Sequence, residues 1–151
     1  MTRFTRLPLR LVVIAATTFA LVAAAPAVTA VSPRSGDLFI TKECSEFTGL
    51  PGGFCTITSS NLNAIKAGSR VVYASGLTPP TLDSDITIVR GGNSIAQGHV
   101  HLNLLTGTGT VTLSGGTGQF LGFEANVIVT CPVRPDCSWS GSYSFSPPGL
   151  D

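Results

Sequence analysis

Short segments in which apolar and polar residues alternate make up most of the chain after residue 36. In the first of them, residues 37–44, the side chains of Leu38, Ile40 and Lys42 share one face. Seven further segments follow, rich in β-branched residues and bounded by Gly, Pro, Asn or Asp. Alternation with a period of two is typical of strands with one buried face. The pattern therefore predicts about eight β-strands.

Helix signals are nearly absent, so the predicted fold class is all-β. The one candidate for a short helical turn is residues 59–68, with Ser60 as its cap and Gly68 at its end. Regular short strands joined by glycine-containing turns indicate a sandwich or a barrel. Charged residues make up only 11% of the chain, and a closed barrel has no open edge strand for charges to protect. We therefore predict an eight-stranded antiparallel β-barrel.

The first 30 residues have the pattern of a secretory signal peptide. Arginines without any acid precede the apolar run of residues 11–25, as in the basic and apolar regions of such peptides. Val28 and Ala30 fit the small-residue positions before a cleavage site, which predicts cleavage after Ala30. The alternative is an uncleaved membrane anchor, although the run is shorter than the roughly 20 residues of a spanning helix. The predicted organisation is a signal peptide (1–30), a short lead (31–36), the barrel domain (37–147) and a tail (148–151).

The predicted mature chain carries little charge. The formal net charge of +1 becomes about −2 when the three leader arginines are removed. Without a basic patch, nucleic acid is not an expected partner. We expect no cofactor, an extracellular location and no stable membrane insertion once the leader is cleaved.

The even number of cysteines in the predicted mature part indicates disulfide bonds. Four cysteines allow three connectivities, and a zinc site is the competing interpretation. We favour the local pairs, because each encloses a turn containing Pro or Gly, and no pair has C-x-x-C spacing. The predicted bonds are Cys44–Cys55 and Cys131–Cys137.

Residues 113–129, LSGGTGQFLGFEANVIV, raise the question of a phosphate-binding loop. A dinucleotide fingerprint requires G-x-G-x-x-G between a strand and a helix, but its last position falls on Leu121. We therefore interpret the glycines as a structural turn between two strands, with Phe120 closing the barrel end. The turn residues are Gly115, Gly116, Gly118 and Gly122.

This stretch also resembles the signature of the allene oxide cyclase and dirigent barrel superfamily. The segments GNSIAQGHVHLN and WSGSYSFS look like the strand before that motif and the terminal strand of the family. The chain most resembles small secreted actinobacterial members. The residues that match the motif are Gly115, Gly116, Thr117, Gly118, Phe120 and Gly122.

The resemblance implies an eight-stranded barrel with a mostly apolar cavity, in proteins that are often trimeric or dimeric, so a homo-oligomer is an expected state. Family members bind reactive small molecules, an epoxide-bearing fatty acid derivative in the cyclases and phenoxy radicals in the dirigents. Their catalytic acids, tyrosines and arginines have no residue-by-residue match here. No active site is carried over from the family.

His99 and His101 are candidate ligand-binding residues. They lie two apart on a predicted strand and therefore share a face, with Val100 and Leu102 on the other. Two imidazoles on one face can bind zinc, copper or iron, as in cupins. However, the chain has no third histidine and no glutamate shortly after His101. Polar residues on the solvent face of a strand are the simpler interpretation.

Three further residues are candidates on weaker patterns. Glu124 shares a predicted face with Asn126, and if buried it could act as an acid or base. Arg90 alternates with Ile86 and Ile88, so an inward guanidinium could orient a carboxylate. We name Glu124 and Arg90 as candidate catalytic residues and Asn126 as a candidate ligand-binding residue.

Three functions are compatible with these patterns. The first is binding, with isomerisation or orientation, of a small apolar molecule inside the barrel. The second is a non-catalytic extracellular structural or interaction protein, and the third is a cupin-like metal protein using His99 and His101. A cavity of roughly 300 Å³ or more favours the first, whereas a barrel filled by side chains favours the second.

Overall fold

The computed structural model describes residues 34–146. The predicted signal peptide with its cleavage site, and the predicted tail, lie outside these residues. The barrel strands are β1 (Ser35–Glu43), β2 (Phe54–Ser60), β3 (Arg70–Tyr73), β4 (Thr81–Gly91), β5 (Ser94–Asn103), β6 (Thr108–Gly116), β7 (Phe123–Val133) and β8 (Asp136–Phe145).

The strands form a closed antiparallel barrel in the order in which they occur along the chain. Each strand pairs with the next, and β8 pairs with β1 from Ser35↔Ser144 to Glu43↔Asp136. Closure of the sheet pairs every strand on both sides and leaves no free edge. The prediction of an eight-stranded antiparallel barrel is confirmed, and its first strand begins at Ser35, inside the predicted lead.

The short helical turn is not where the sequence indicated it. Residues 61–69 form bends and hydrogen-bonded turns, in which Ile65 N–H donates to Leu62 O at 2.9 Å. The described residues contain one 3₁₀ turn, Gly118–Phe120, in the connection between β6 and β7. The prediction for residues 59–68 was wrong because Leu62 and Ile65 are held by burial against the barrel rather than by a helical hydrogen-bond pattern.

The residues that alternate in the sequence point alternately into the barrel and out to solvent. In β1 the side chains of Leu38, Ile40 and Lys42 are buried, whereas Phe39 and Thr41 are exposed. The same alternation continues around the barrel, and the inward side chains fill its interior. The largest fully buried side chains are Trp139, Tyr73, Phe120, Phe123, Leu38, Ile40, Ile57, Ile65 and Ile88.

One end of the barrel is closed by aromatic and aliphatic side chains. Phe120, in the 3₁₀ turn, is fully buried, and its ring centroid lies 5.4 Å from that of Phe123. Gly118 and Gly122, on either side of Phe120, have positive φ angles of 60° and 67°, which glycine adopts without the steric cost that other residues incur. The glycine stretch thus turns the chain from β6 into β7 and places Phe120 over this end.

At several inward positions the residue is glycine, because the backbone of a neighbouring strand lies where a side chain would be. A Cβ on Gly109 would lie 2.6 Å from Leu102 Cα, and one on Gly141 would lie 2.7 Å from Val127 Cα. Gly98 has a similar clash with Leu113, at a register shift between β5 and β6. Glycine at such positions lets strongly curved strands approach closely.

Both predicted disulfides are present. Cys44–Cys55 joins the end of β1 to the start of β2, and Cys131–Cys137 joins β7 to β8. Two disulfides are consistent with an oxidising, extracellular type of environment. Within residues 34–146, no helix has the length and apolar character needed to cross a membrane.

Candidate functional site

A pocket lies at the end of the barrel opposite Phe120, which we call the open end. It has a volume of about 170 Å³ and contains no carboxylate among its lining residues. Lys42 and Tyr73 supply its buried polar atoms, and exposed Arg134 and Pro135 form part of its rim. The remaining lining residues are Cys44, Phe47, Cys55, Leu77, Leu82, Leu102, Leu104, Gly107, Cys131 and Cys137.

Lys42 is the polar centre of this pocket. It is only 3% exposed, because it occupies an inward position of β1 beyond Leu38 and Ile40. The Tyr73 hydroxyl lies 2.6 Å from the Lys42 Nζ, and the Cys55 Sγ lies 3.7 Å away. Among residues 34–146, the ion pairs are all between histidine and aspartate, so no acid side chain neutralises the amine.

Burial without an acid partner changes the protonation of this amine. Desolvation lowers the pKa of Lys42 from 10.5 to about 7, because the charged form loses its hydration. The rings of Tyr73 and Trp139 lie 5.4 and 5.3 Å from Nζ and offset part of that loss by cation–π attraction. At neutral pH a substantial fraction of the Lys42 side chains is therefore the uncharged amine.

Tyr73 remains a neutral phenol beside that amine. Desolvation raises the pKa of its hydroxyl well above the ordinary value of 10. Its oxygen also lies 3.3 Å from Cys55 Sγ. The phenol and the amine together form a hydrogen-bonded pair that can both donate and accept protons within an apolar site.

The two disulfides hold the strands around the pocket. Cys44–Cys55 crosslinks β1 to β2 next to Lys42, and Cys131–Cys137 crosslinks β7 to β8, the strand that pairs with β1. The Cys44 N–H also donates to Pro135 O at 3.1 Å, which ties the two crosslinked regions together. These covalent links limit how far the strands around the open end can separate.

Comparisons with known proteins identified no relative of this chain. No family model, curated protein or solved structure matches the chain. The candidate site therefore rests on its own geometry.

The histidines singled out in the sequence lie on the outer surface of the barrel, away from the interior. His99 and His101 point outward from β5 and meet Asp83 and Asp85, which point outward from the paired strand β4. His99 Nε2 lies 2.8 Å from Asp83 Oδ1, and its Nδ1 lies 2.9 Å from Asp85 Oδ1. His101 Nδ1 lies 3.3 Å from Asp83 Oδ2.

This arrangement favours the protonated imidazole of His99. A neutral imidazole donates from only one nitrogen, whereas both nitrogens of His99 face carboxylate oxygens. The hydrogen bond to Asp85, followed by that to Asp83, raises the pKa of His99, while the hydrogen bond from His101 lowers the pKa of Asp83. Throughout residues 34–146, no group of three or more His, Cys, Asp and Glu side chains is arranged to hold a metal ion.

We expect His99 to titrate above pH 6.5 and the Asp85→Asn substitution to lower its midpoint. The pKa of His99 is higher in the folded chain than in the unfolded chain, so protonation of His99 slightly stabilises the fold. This stabilisation is fully present below the pKa of the unfolded chain and is lost as the pH rises through the pKa of the folded chain. The titration of the imidazole Cε1–H resonances by NMR measures both midpoints. Glu124→Gln, on β7 two strands from β5 and in no ion pair with His99, is the matched control and should leave the midpoint nearly unchanged. A midpoint at or below 6.5 in the parent protein would contradict the arrangement.

The other candidates do not gather into a site. Glu124 and Asn126 point outward from β7 and are exposed, in register with Ser144 and Ser142 of β8. Arg90 is half-buried at the end of β4, where the register with β5 shifts. Neither Glu124 nor Arg90 lines the open-end pocket. Glu124 is exposed, so the burial that a role as acid or base would require is not met.

The residues that the sequence argument missed are Lys42 and Tyr73. The alternation of β1 already placed Lys42 on the face of Leu38 and Ile40, and an inward lysine is the signal that could have identified it. Its partnership with Tyr73 depends on β1, β2 and β3 lying side by side. No local pattern in the chain indicates that contact.

Proposed function

We propose that this chain is a secreted β-barrel protein of the allene oxide cyclase and dirigent type that binds a small apolar molecule at its open end and orients it there. The observation that carries the proposal is a leucine-lined pocket with one buried hydrogen-bonded pair, Lys42 and Tyr73. Small-molecule sites are typically apolar, with a few polar groups that fix the orientation of the ligand. The disulfides suit a secreted protein.

The size of the pocket limits what it can hold. Its volume of about 170 Å³ is close to that of an engineered cavity of about 150 Å³ that binds benzene. A ligand enclosed by the pocket would have about six to eight non-hydrogen atoms. A longer molecule would extend past the rim at Arg134 and Pro135. At about 170 Å³, this site is below the roughly 300 Å³ expected for a binding cavity inside the barrel, and it lies at one end of the barrel instead.

Binding of hexan-1-ol, followed by NMR, tests the proposal. We expect saturable shifts of the Leu82, Leu102 and Leu104 methyl resonances with a Kd of about 1 mM, which corresponds to about −4 kcal/mol. Leu104→Trp should fill the pocket and abolish these shifts. Leu105→Trp is the matched control, since Leu105 is 82% exposed, and should preserve them. Shifts that do not saturate, or that persist in Leu104→Trp, would contradict the proposal.

A second function, that of a stable non-catalytic extracellular protein, is favoured by the filled interior. Trp139, Phe120 and Phe123 are at most 1% exposed and occupy the inside of the barrel. Under this alternative the open-end pocket is a packing defect, and hexan-1-ol would fail to bind. The same titration therefore distinguishes the two functions.

A further inference from the structure

The ligand class of the open-end pocket follows from the chemistry of its polar pair. The geometry points to reversible imine formation between the Lys42 ε-amine and a small aldehyde or ketone, with the Tyr73 hydroxyl relaying protons. This inference rests on the proposed function. The pair lies within 2.6 Å at the base of an apolar pocket. A desolvated lysine amine can add to a carbonyl group, and a neighbouring O–H group can transfer the proton that the addition needs.

The absence of a carboxylate in the pocket distinguishes Lys42 from a structural ion pair. Lysines fully buried in proteins are almost always paired, yet the residues lining this pocket include no Asp or Glu. The Lys42 side chain is also only 3% exposed, so water does not solvate its charged form. Both features favour the neutral, nucleophilic form of the Lys42 side chain.

The reaction balances without an oxidant or reductant. The nitrogen lone pair of Lys42 attacks the carbonyl carbon and forms a C–N bond, while the π electrons move to oxygen, which takes a proton from Tyr73. The resulting ammonium nitrogen returns a proton to the Tyr73 oxygen and gives a neutral carbinolamine. The carbinolamine oxygen then takes a proton from Tyr73 and the C–O bond breaks to release water, while the nitrogen lone pair forms the C=N bond. The remaining N–H proton returns to the Tyr73 oxygen, so that aldehyde and amine yield imine and water.

The apolar lining restricts the carbonyl compound that fits. Leu82, Leu102 and Leu104 would contact the hydrocarbon part, and the pocket volume sets its length. Hexanal has a carbonyl at one end and fits the limit of about six to eight non-hydrogen atoms. Water exclusion by these leucines would also slow hydrolysis of the imine.

Reductive trapping in the Lys66→Arg variant tests the inference. The chain has two lysines, so this variant leaves Lys42 as its only lysine side chain, and Lys66 is exposed. Hexanal and sodium cyanoborohydride at neutral pH should add one hexyl group at residue 42, located by peptide mapping. An ordinary lysine is uncharged in only about one molecule in 2,500 at pH 7. In the parent protein, Lys42 should therefore react at least about tenfold faster than Lys66 despite its burial.

Control variants separate proton relay from packing. Tyr73→Phe keeps the ring and removes the hydroxyl, and it should slow trapping at Lys42 about tenfold, within the range of general acid–base effects. Its binding of hexan-1-ol should persist. Lys42→Met should bind hexan-1-ol and take up no label at residue 42. Equal trapping rates in the parent and Tyr73→Phe would overturn the relay by Tyr73.

The probes distinguish failure of this inference from failure of the proposed function. If hexan-1-ol binds in the pocket but hexanal leaves Lys42 unlabelled, imine formation is overturned and small-molecule binding stands. If no probe binds and Lys42 is unlabelled, both are overturned. Labelling of Lys42 that hexan-1-ol suppresses supports both.

Discussion

Lys42→Met should remove most of the pH dependence of stability between pH 7 and 10. In the folded chain the pKa of Lys42 is about 7, against an ordinary value of 10.5. Between these two values the unfolded chain carries the proton and the folded chain does not, so the free energy of unfolding rises with pH. Below pH 7 both states are protonated and the cost of burying the charge is fully present.

The expected effect is large for one side chain. One proton difference changes the free energy of unfolding by about 1.4 kcal/mol per pH unit, and so by on the order of 3 kcal/mol from pH 7 to 10. Tyr73 has the opposite influence only above about pH 10, where the unfolded phenol ionises and the folded one, with its raised pKa, does not. The window below pH 10 therefore reports on Lys42.

Chemical denaturation across this pH range measures the effect, with Lys66→Met as the control. The parent and Lys66→Met should share the same rise in stability, and Lys42→Met should lack it. At pH 7, Lys42→Met should be at least as stable as the parent. Losing the buried charge offsets the cost of about 1–3 kcal/mol for removing the hydrogen bond between Lys42 and the Tyr73 hydroxyl. A parallel rise in all three proteins would show that Lys42 is not the cause.

Gly141→Ala should destabilise the barrel by about 3 kcal/mol, the upper end of the usual cost of overpacking. The added methyl group would lie 2.7 Å from Val127 Cα and would also clash with Asn126 O, both backbone atoms of β7. Backbone atoms in a closed barrel cannot move aside without shifting the β7–β8 pairing. The free energy of unfolding in denaturant measures this cost.

Gly36→Ala is the matched control for this substitution. Gly36 is also a strand glycine, but its added Cβ would be 3.4 Å from the Tyr143 ring, an ordinary contact. Its stability should change by less than about 1 kcal/mol, the size of the unfolded-state entropy effect of replacing glycine by alanine. Similar losses in both variants would contradict the interpretation that the close approach of β7 and β8 requires glycine.

The fold was accessible from the sequence because its signals are local. Alternation within each strand, glycine-containing turns and the short cysteine spacings all act over about ten residues, and they predicted the barrel and both disulfides correctly. The position of the short helical turn was predicted wrongly. The turn forms at Gly118–Phe120, where Phe120 packs into the barrel end, whereas in residues 61–69 the side chains of Leu62 and Ile65 pack into the core without forming a helix.

The candidate site was harder to predict because it depends on contacts between strands. The contact between Asp85 and His99 on the outer surface could have been predicted from the sequence. The hairpin of β4 and β5 is nearly symmetric about Gly92 and so pairs these two residues. The Lys42–Tyr73 pair joins residues 31 positions apart across three strands. Its importance comes from desolvation, which depends on the whole barrel end closing around the amine.

The ¹³Cε resonance of Lys42, followed from pH 5 to 11 in the Lys66→Arg variant, tests the central claim most directly. With no other lysine side chain in the protein, the signal is assigned without ambiguity. We expect a single inflection near pH 7, the pKa set by burial of Lys42. An inflection near pH 10, as for a lysine in water, would contradict a buried uncharged amine at the open end of the barrel.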